Sequence, residues 1–155
     1  MKVETILSQI DLGTMALPEF QRGYVWNRDQ VRGLMSSMYR RHPVGSLLTW
    51  LTPKDPTIIR GGDLGPAGTI ELLLDGQQRI TSLYGIMRGR PPRFFDGNAQ
   101  AFTGLYFDLE NEVFEFYAPA KMAGKPMWLD VTRLMRPDGL GEALAPLAAP
   151  GATTT

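Results

Sequence analysis

The sequence predicts an α/β (α+β) domain in which a small mixed sheet is flanked by helices, and three observations carry that expectation. Ile70 to Leu74 is a short apolar run with the length and make-up of a buried strand. Directly after it, Ile80, Leu83, Tyr84 and Met87 recur at i, i+3, i+4 and i+7, one face of a helix. Upstream, Val31, Leu34, Met35, Met38 and Tyr39 form a second helical stripe, followed by another short run, Ser46 to Leu51. With 155 residues the chain is long enough for one domain with a substantial core.

Each element follows from local chemistry. Val3, Ile6, Leu7 and Ile10 give a short amphipathic helix that ends before Gly13. Met15 to Trp26 reads as extended, because Pro18 disfavours a helix interior and Gly23 permits a bend. Asn27 caps the second helix, with Gln30 as its reciprocal partner and Trp26 packing onto Val31; Pro43 stops it. Ser46 to Leu51 is a strand. Residues 52–69 form a Pro- and Gly-rich connection with room for a short strand at Ile58-Ile59. Its glycines lack the Gly-Lys-Ser/Thr ending of a phosphate loop. Residues 90–104 read as a loop, Leu105–Asp108 and Val113–Tyr117 as a hairpin across Glu110-Asn111, and Leu129–Met135 as a helical turn. The folded domain is therefore expected over 1–137. From 138 to 155 the chain is almost all Gly, Ala, Pro, Leu and Thr, which reads as linker or disorder and suggests a fragment of a longer protein.

The junction between predicted strand and helix concentrates the polar chemistry. Asp75-Gly76-Gln77-Gln78-Arg79 lies where a helix N-terminus presents unpaired N–H groups and the positive end of its dipole, a natural anion site. Gly76 lets backbone approach a ligand, and Arg79, one turn in, has a fork suited to phosphate. The plainer reading is an Asp helix cap followed by solvated Gln and Arg; it leaves unexplained why two amides and an arginine share one turn. A second cluster, Pro18 to Trp26, places Gln21, Arg22 and Tyr24 between a proline and a tryptophan. There the plainer reading is a strand with Phe20, Tyr24 and Trp26 facing the core.

Both clusters, in this order, resemble the N-terminal domain of the GmrSD-type restriction family. Its marks are a proline-led segment ending in Gln-Arg-x-Tyr-x-Trp and a later Asp-Gly-Gln-Gln-Arg after an apolar strand. The resemblance spans about Val3 to Tyr117. It implies a ParB/sulfiredoxin-like fold, in which a Gly-x-x-Arg segment at a helix start holds nucleotide phosphates; Gly76 and Arg79 match that pattern. It also implies restriction of modified DNA with linked nucleotide hydrolysis, and a helical region and a His-metal nuclease domain that commonly follow, or a partner subunit that supplies cleavage.

Composition narrows the chemistry further. Lys+Arg and Asp+Glu both number 16, so no global basic field advertises nucleic acid. Locally, arginines crowd between Arg22 and Arg41, and Arg28 and Arg32 are the candidate DNA contacts, although arginine at a helix C-terminus also serves as routine dipole compensation. Absence of cysteine excludes disulfides, thiol catalysis and thiolate metal sites. His42 is the only histidine, so any metal is expected to be a hard cation such as Mg²⁺ held by Asp75, waters and substrate phosphates. No apolar stretch is long enough to span a membrane and no secretory pattern opens the chain, so a cytoplasmic protein without membrane contact is expected.

The expected function is a nucleoside-triphosphate-hydrolysing, DNA-sensing module. Asp75, Gln77, Gln78 and Arg79 are the candidate catalytic residues, with Gln77 or Gln78 orienting water. Gly76, Arg79, Arg22, Gln21 and Tyr24 are the candidate nucleotide contacts, gathered in one pocket. Two alternatives use the same residues: a DNA nuclease holding a DNA phosphate, and a nucleotide-gated DNA-binding switch without turnover.

Overall fold

A computed structural model of the chain describes residues 2–18, 23–55, 59 and 68–148. Gln21 and Arg22 of the second cluster, Phe20, Ile58 and most of the Gly-rich connection lie outside the described residues.

The order of elements is α1 (Val3–Asp11), β1 (Met15–Ala16), α2 (Arg28–Tyr39), β2 (Leu48–Pro53), β3 (Thr69–Asp75) and α3 (Gln77–Arg88), then β4 (Leu105–Asp108), β5 (Val113–Phe116), α4 (Pro119–Met122), β6 (Trp128–Asp130), α5 (Val131–Leu134) and α6 (Gly139–Ala148). Among the described residues, six strands form two sheets. The first has the order β1-β3-β2, with β1 parallel to β3 and β2 antiparallel to it. The second, β5-β4-β6, is antiparallel throughout. The expected α+β class and mixed sheet are therefore present, together with a second sheet. Its third strand, Trp128–Asp130, occupies the start of what the sequence presents as a helical turn; three residues are too few to show a strand period.

Helix α2 begins as its sequence dictates. Asn27 accepts from the Gln30 N–H at 3.0 Å, while the Gln30 side chain accepts from the Asn27 N–H at 2.9 Å. This closed capping box satisfies two of the orphan donors at the helix start. Val31, Leu34 and Met35 are buried, whereas Tyr39 at the far end is half-exposed and donates to Glu112.

Helix α3 departs most from expectation. The sequence marks one apolar face, yet Gln78 and every residue from Ile80 to Ile86 are buried. The helix runs between two cores. Ile80 and Tyr84 pack with α1, β1 and β3 through Leu7, Ile10, Ile70 and Leu72. Leu83 and Ile86 pack with α2 and the second sheet through Val31, Leu34, Phe102 and Leu105. Gly85 is where the helix meets the Phe102 ring, so closely that a Cβ there would fall 2.2 Å from it. A helix enclosed on both sides cannot announce itself by a single stripe.

The stretch expected as linker is also different. Residues 139–148 form α6, packed beside α5 and reached by an Arg133–Glu142 ion pair of 3.7 Å. Ala and Leu favour helix, and composition alone had hidden this. Residues 149–155 lie outside the described residues.

Candidate functional site

The strand-to-helix junction forms as the sequence predicts. Strand β3 ends at Asp75, Gly76 takes the left-handed conformation at φ 90°, and α3 starts at Gln77. Gly76 is required on two counts: a side chain would be strained there, and its Cβ would meet Leu47 at 2.4 Å and Arg79 at 3.0 Å. The Gly76 N–H donates back to Asp75 Oδ1 at 2.9 Å. Asp75 is exposed, and its second oxygen makes no hydrogen bond among the described residues.

The two glutamines differ sharply. Gln78 is buried and both ends of its amide engage the extended segment before α2. Its Oε1 accepts from the N–H groups of Val25 at 2.9 Å and Trp26 at 3.3 Å, and its Nε2 donates to the Gly23 carbonyl at 3.2 Å. Gln77 is half-buried and lines the opening.

Arg79 folds back across its own turn. One guanidinium nitrogen donates to the Val44 carbonyl at 2.8 Å and the other to Ser46 at 2.6 Å, either side of Gly45. The fork so holds the loop between α2 and β2 against the start of α3, and its edge remains in the wall of the pocket.

Tyr24 is buried too, packed edge-on to Phe102 with ring centroids 5.5 Å apart. Its hydroxyl lies 2.6 Å from Ser82 Oγ, and Ser82 donates its only hydrogen to the Gln78 carbonyl at 2.8 Å. Tyr24 must therefore be the donor, in a chain from Tyr24 through Ser82 to the backbone of Gln78. Burial pushes the Tyr24 phenol above its ordinary value. The Tyr24 N–H also donates to the Asp96 carbonyl at 2.6 Å.

Two segments some 50 residues apart thus converge, but Tyr24, expected as a nucleotide contact, is buried against Ser82 and Phe102 and does not line the opening at Asp75–Arg79. Gln21 and Arg22, expected in the same pocket, lie outside the described residues. What remains open is a pocket of about 230 Å³ lined by Trp26 and every residue from Asp75 to Arg79. Among the described residues no group of three or more carboxylates or histidines could hold a metal by itself. Asp75 still suits an ion carried in on phosphates, since Mg²⁺ commonly takes one or two carboxylates and completes its shell with water and phosphate oxygens.

Arg28 and Arg32 lie one turn apart on the exposed face of α2. Arg28 donates through Nε to the Gln100 carbonyl at 3.0 Å and sits 4.8 Å above the Phe116 ring; Arg32 pairs with Asp29 at 2.8 Å. Trp26 is the residue that sequence reasoning assigned only to the core. It is half-buried and lines openings on both its sides. Its place beside the Gln-Arg-x-Tyr cluster was the available signal.

Fold and site together define an α+β domain that presents a polar strand-to-helix turn at the carboxyl end of a short central strand. The chain belongs to the family of GmrSD restriction endonuclease N-terminal domains, whose family model matches residues 3–132. It is also similar to the uncharacterized protein MJ0686 of Methanocaldococcus jannaschii, 39% identical over 82 residues. That match covers 46% of this chain and 14% of the archaeal protein's length. Among the described residues no helix is long and apolar enough to cross a membrane.

Proposed function

We propose that this chain is the nucleotide-binding and nucleotide-hydrolysing, DNA-sensing module of a restriction or phage-defence protein that acts on modified DNA. The observation that carries the reading is the pocket lined by Asp75, Gly76, Gln77, Gln78, Arg79 and Trp26 at the carboxyl end of β3. Open sheets with helical crossovers favour ligands at this end, and a helix N-terminus favours anions there. The reading keeps the expected ParB/sulfiredoxin-like placement, with phosphates over Gly76 and the first turn of α3.

The residues divide the work. Asp75, exposed and with one oxygen that makes no hydrogen bond among the described residues, would hold Mg²⁺ accompanying the nucleotide; when bound, the ion neutralises phosphate charge. Gln77, which lines the pocket, would orient water, while the Gln78 amide holds Gly23, Val25 and Trp26. Water adds to the terminal phosphorus as the bridging P–O bond breaks, giving nucleoside diphosphate, inorganic phosphate and a proton. Arg79 adds positive charge at the wall while keeping the 44–46 loop in place. Arg28 and Arg32 provide an exposed basic edge for DNA, whose cleavage belongs to a further nuclease domain or a partner subunit.

The test is thermal denaturation with each nucleoside triphosphate and Mg²⁺, alongside phosphate release with and without modified DNA. A ligand at a hundredfold its Kd should add about 2.7 kcal/mol of stability. Phosphate release should fall at least tenfold in Asp75→Ala and Gln77→Ala. Absence of any nucleotide-dependent rise in Tm overturns the reading. Tight binding without turnover selects the gated switch, and Mg²⁺-dependent cutting of DNA by this chain selects the nuclease.

A further inference from the structure

Beyond the phosphate pocket, Trp26 also forms a wall of a second, open cleft of about 640 Å³, bounded by residues 24–29 on one side and by Asn98, Gln100 and Ala101 on the other. Its volume lies in the range of small-molecule sites. The two openings share Trp26, and the amide that closes the signature turn also holds the Trp26 backbone, since Gln78 Oε1 accepts the Trp26 main-chain N–H. The opposite wall is rich in primary amides. Asn98 Oδ1 accepts from the Gln100 N–H at 3.0 Å, which leaves the Asn98 amide N–H₂ group without a partner among the described residues. Gln100 uses its backbone carbonyl to receive Arg28, and its exposed side-chain amide makes no hydrogen bond among the described residues.

We infer that this cleft is a nucleobase site, with the base stacked on the Trp26 indole and its edge read by the amides of Gln100 and Asn98. An indole face beside paired donor–acceptor amides is the chemistry that recognises a base: stacking accepts any base, and a primary amide offers one donor and one acceptor to its edge. The inference rests on the proposed nucleotide reading, because Trp26 would then join the base of a nucleotide to phosphates at Asp75–Arg79. A base displaced from DNA presents the same chemistry, and the experiment separates the two sources.

The protein contains three tryptophans, so Trp50→Phe with Trp128→Phe leaves Trp26 as the sole indole reporter. Its fluorescence is titrated with ATP, GTP, CTP and UTP in Mg²⁺, with inorganic triphosphate, and with a single-stranded oligonucleotide, while Tm is followed in parallel. At least one nucleoside triphosphate should quench Trp26 saturably, whereas inorganic triphosphate should raise Tm with little quenching. Trp26→Ala should weaken nucleotide binding about tenfold and inorganic triphosphate binding far less. Gln100→Ala, at an exposed side chain, should weaken it about threefold, and serves if Trp26→Ala fails to fold. Quenching by the oligonucleotide alone assigns the base to DNA and upholds the site. A nucleotide that raises Tm while Trp26 stays silent and Gln100→Ala binds normally overturns the base site and leaves the phosphate reading intact. No response to any probe overturns both.

Discussion

Asp75 and Asp108 each end a strand and each receive a backbone N–H at 2.9 Å, from Gly76 in one case and Glu110 in the other. Beyond that first bond they diverge. Asp108 is buried and its second oxygen accepts from the Asn111 amide at 2.7 Å, so the carboxylate is enclosed by the hairpin it initiates. Asp75 is exposed, and the binding together of its turn falls to Gln78 and Arg79 instead. The contrast separates two uses of a carboxylate at a strand end. Where the carboxylate itself closes the turn, it has little left for a ligand. Where neighbours close the turn, it stays available.

The largest expected effect comes from removing the neighbour. Gln78→Ala leaves the Val25 and Trp26 N–H groups and the Gly23 carbonyl without their partner, and a partly buried group left unsatisfied costs about 1–3 kcal/mol. We expect a loss of about 2–3 kcal/mol in urea unfolding, since solvent recovers part of the bonding at these half-open positions. A variant as stable as the parent breaks the comparison, because Gln78 would then not be holding the turn.

The two aspartates sharpen it next. Asp108→Ala should lower stability by about 1–2 kcal/mol through two lost bonds to a buried charge, with nucleotide turnover intact. Asp75→Ala should cost no more than about 0.5 kcal/mol, as an exposed substitution, while turnover collapses. Paired unfolding curves and phosphate-release rates on the same preparations decide it. Equal stability losses would erase the distinction.

The smallest effect concerns Tyr24, which belongs with Gln78 to the inward-facing clamp. A free tyrosine titrates near pH 10.0, and burial raises Tyr24 above that. Above pH 10.0 the unfolded chain sheds a proton that the folded chain retains, so the unfolded state binds fewer protons. The stabilising contribution is therefore complete below that pH and declines as pH rises through the folded value. Tyr24→Phe should lessen the alkaline decline, read as urea midpoints on either side of about pH 10. Burial shifts Tyr84 and Tyr106 the same way, so the decline should be reduced and not abolished. An unchanged alkaline slope would place Tyr24 outside the clamp.

Sequence alone determined the features whose causes are local. The Asn27–Gln30 capping box, the β3–Gly76–α3 junction and the hairpin of β4 and β5 each arise from residues within a few positions of one another, where propensity and short-range hydrogen bonding dominate. The polar cluster at Asp75–Arg79 was legible for the same reason. Tertiary structure alone decided which of those residues face inward. Nothing local tells Gln77 from Gln78; Gln78 is the more deeply buried because Gly23–Trp26, more than fifty residues earlier, bonds to its amide. The same holds for the parallel pairing of β1 with β3, the third strand β6, and the enclosure of α3 between two cores. Each depends on contacts distant in sequence, whose closure entropy only the packed whole offsets.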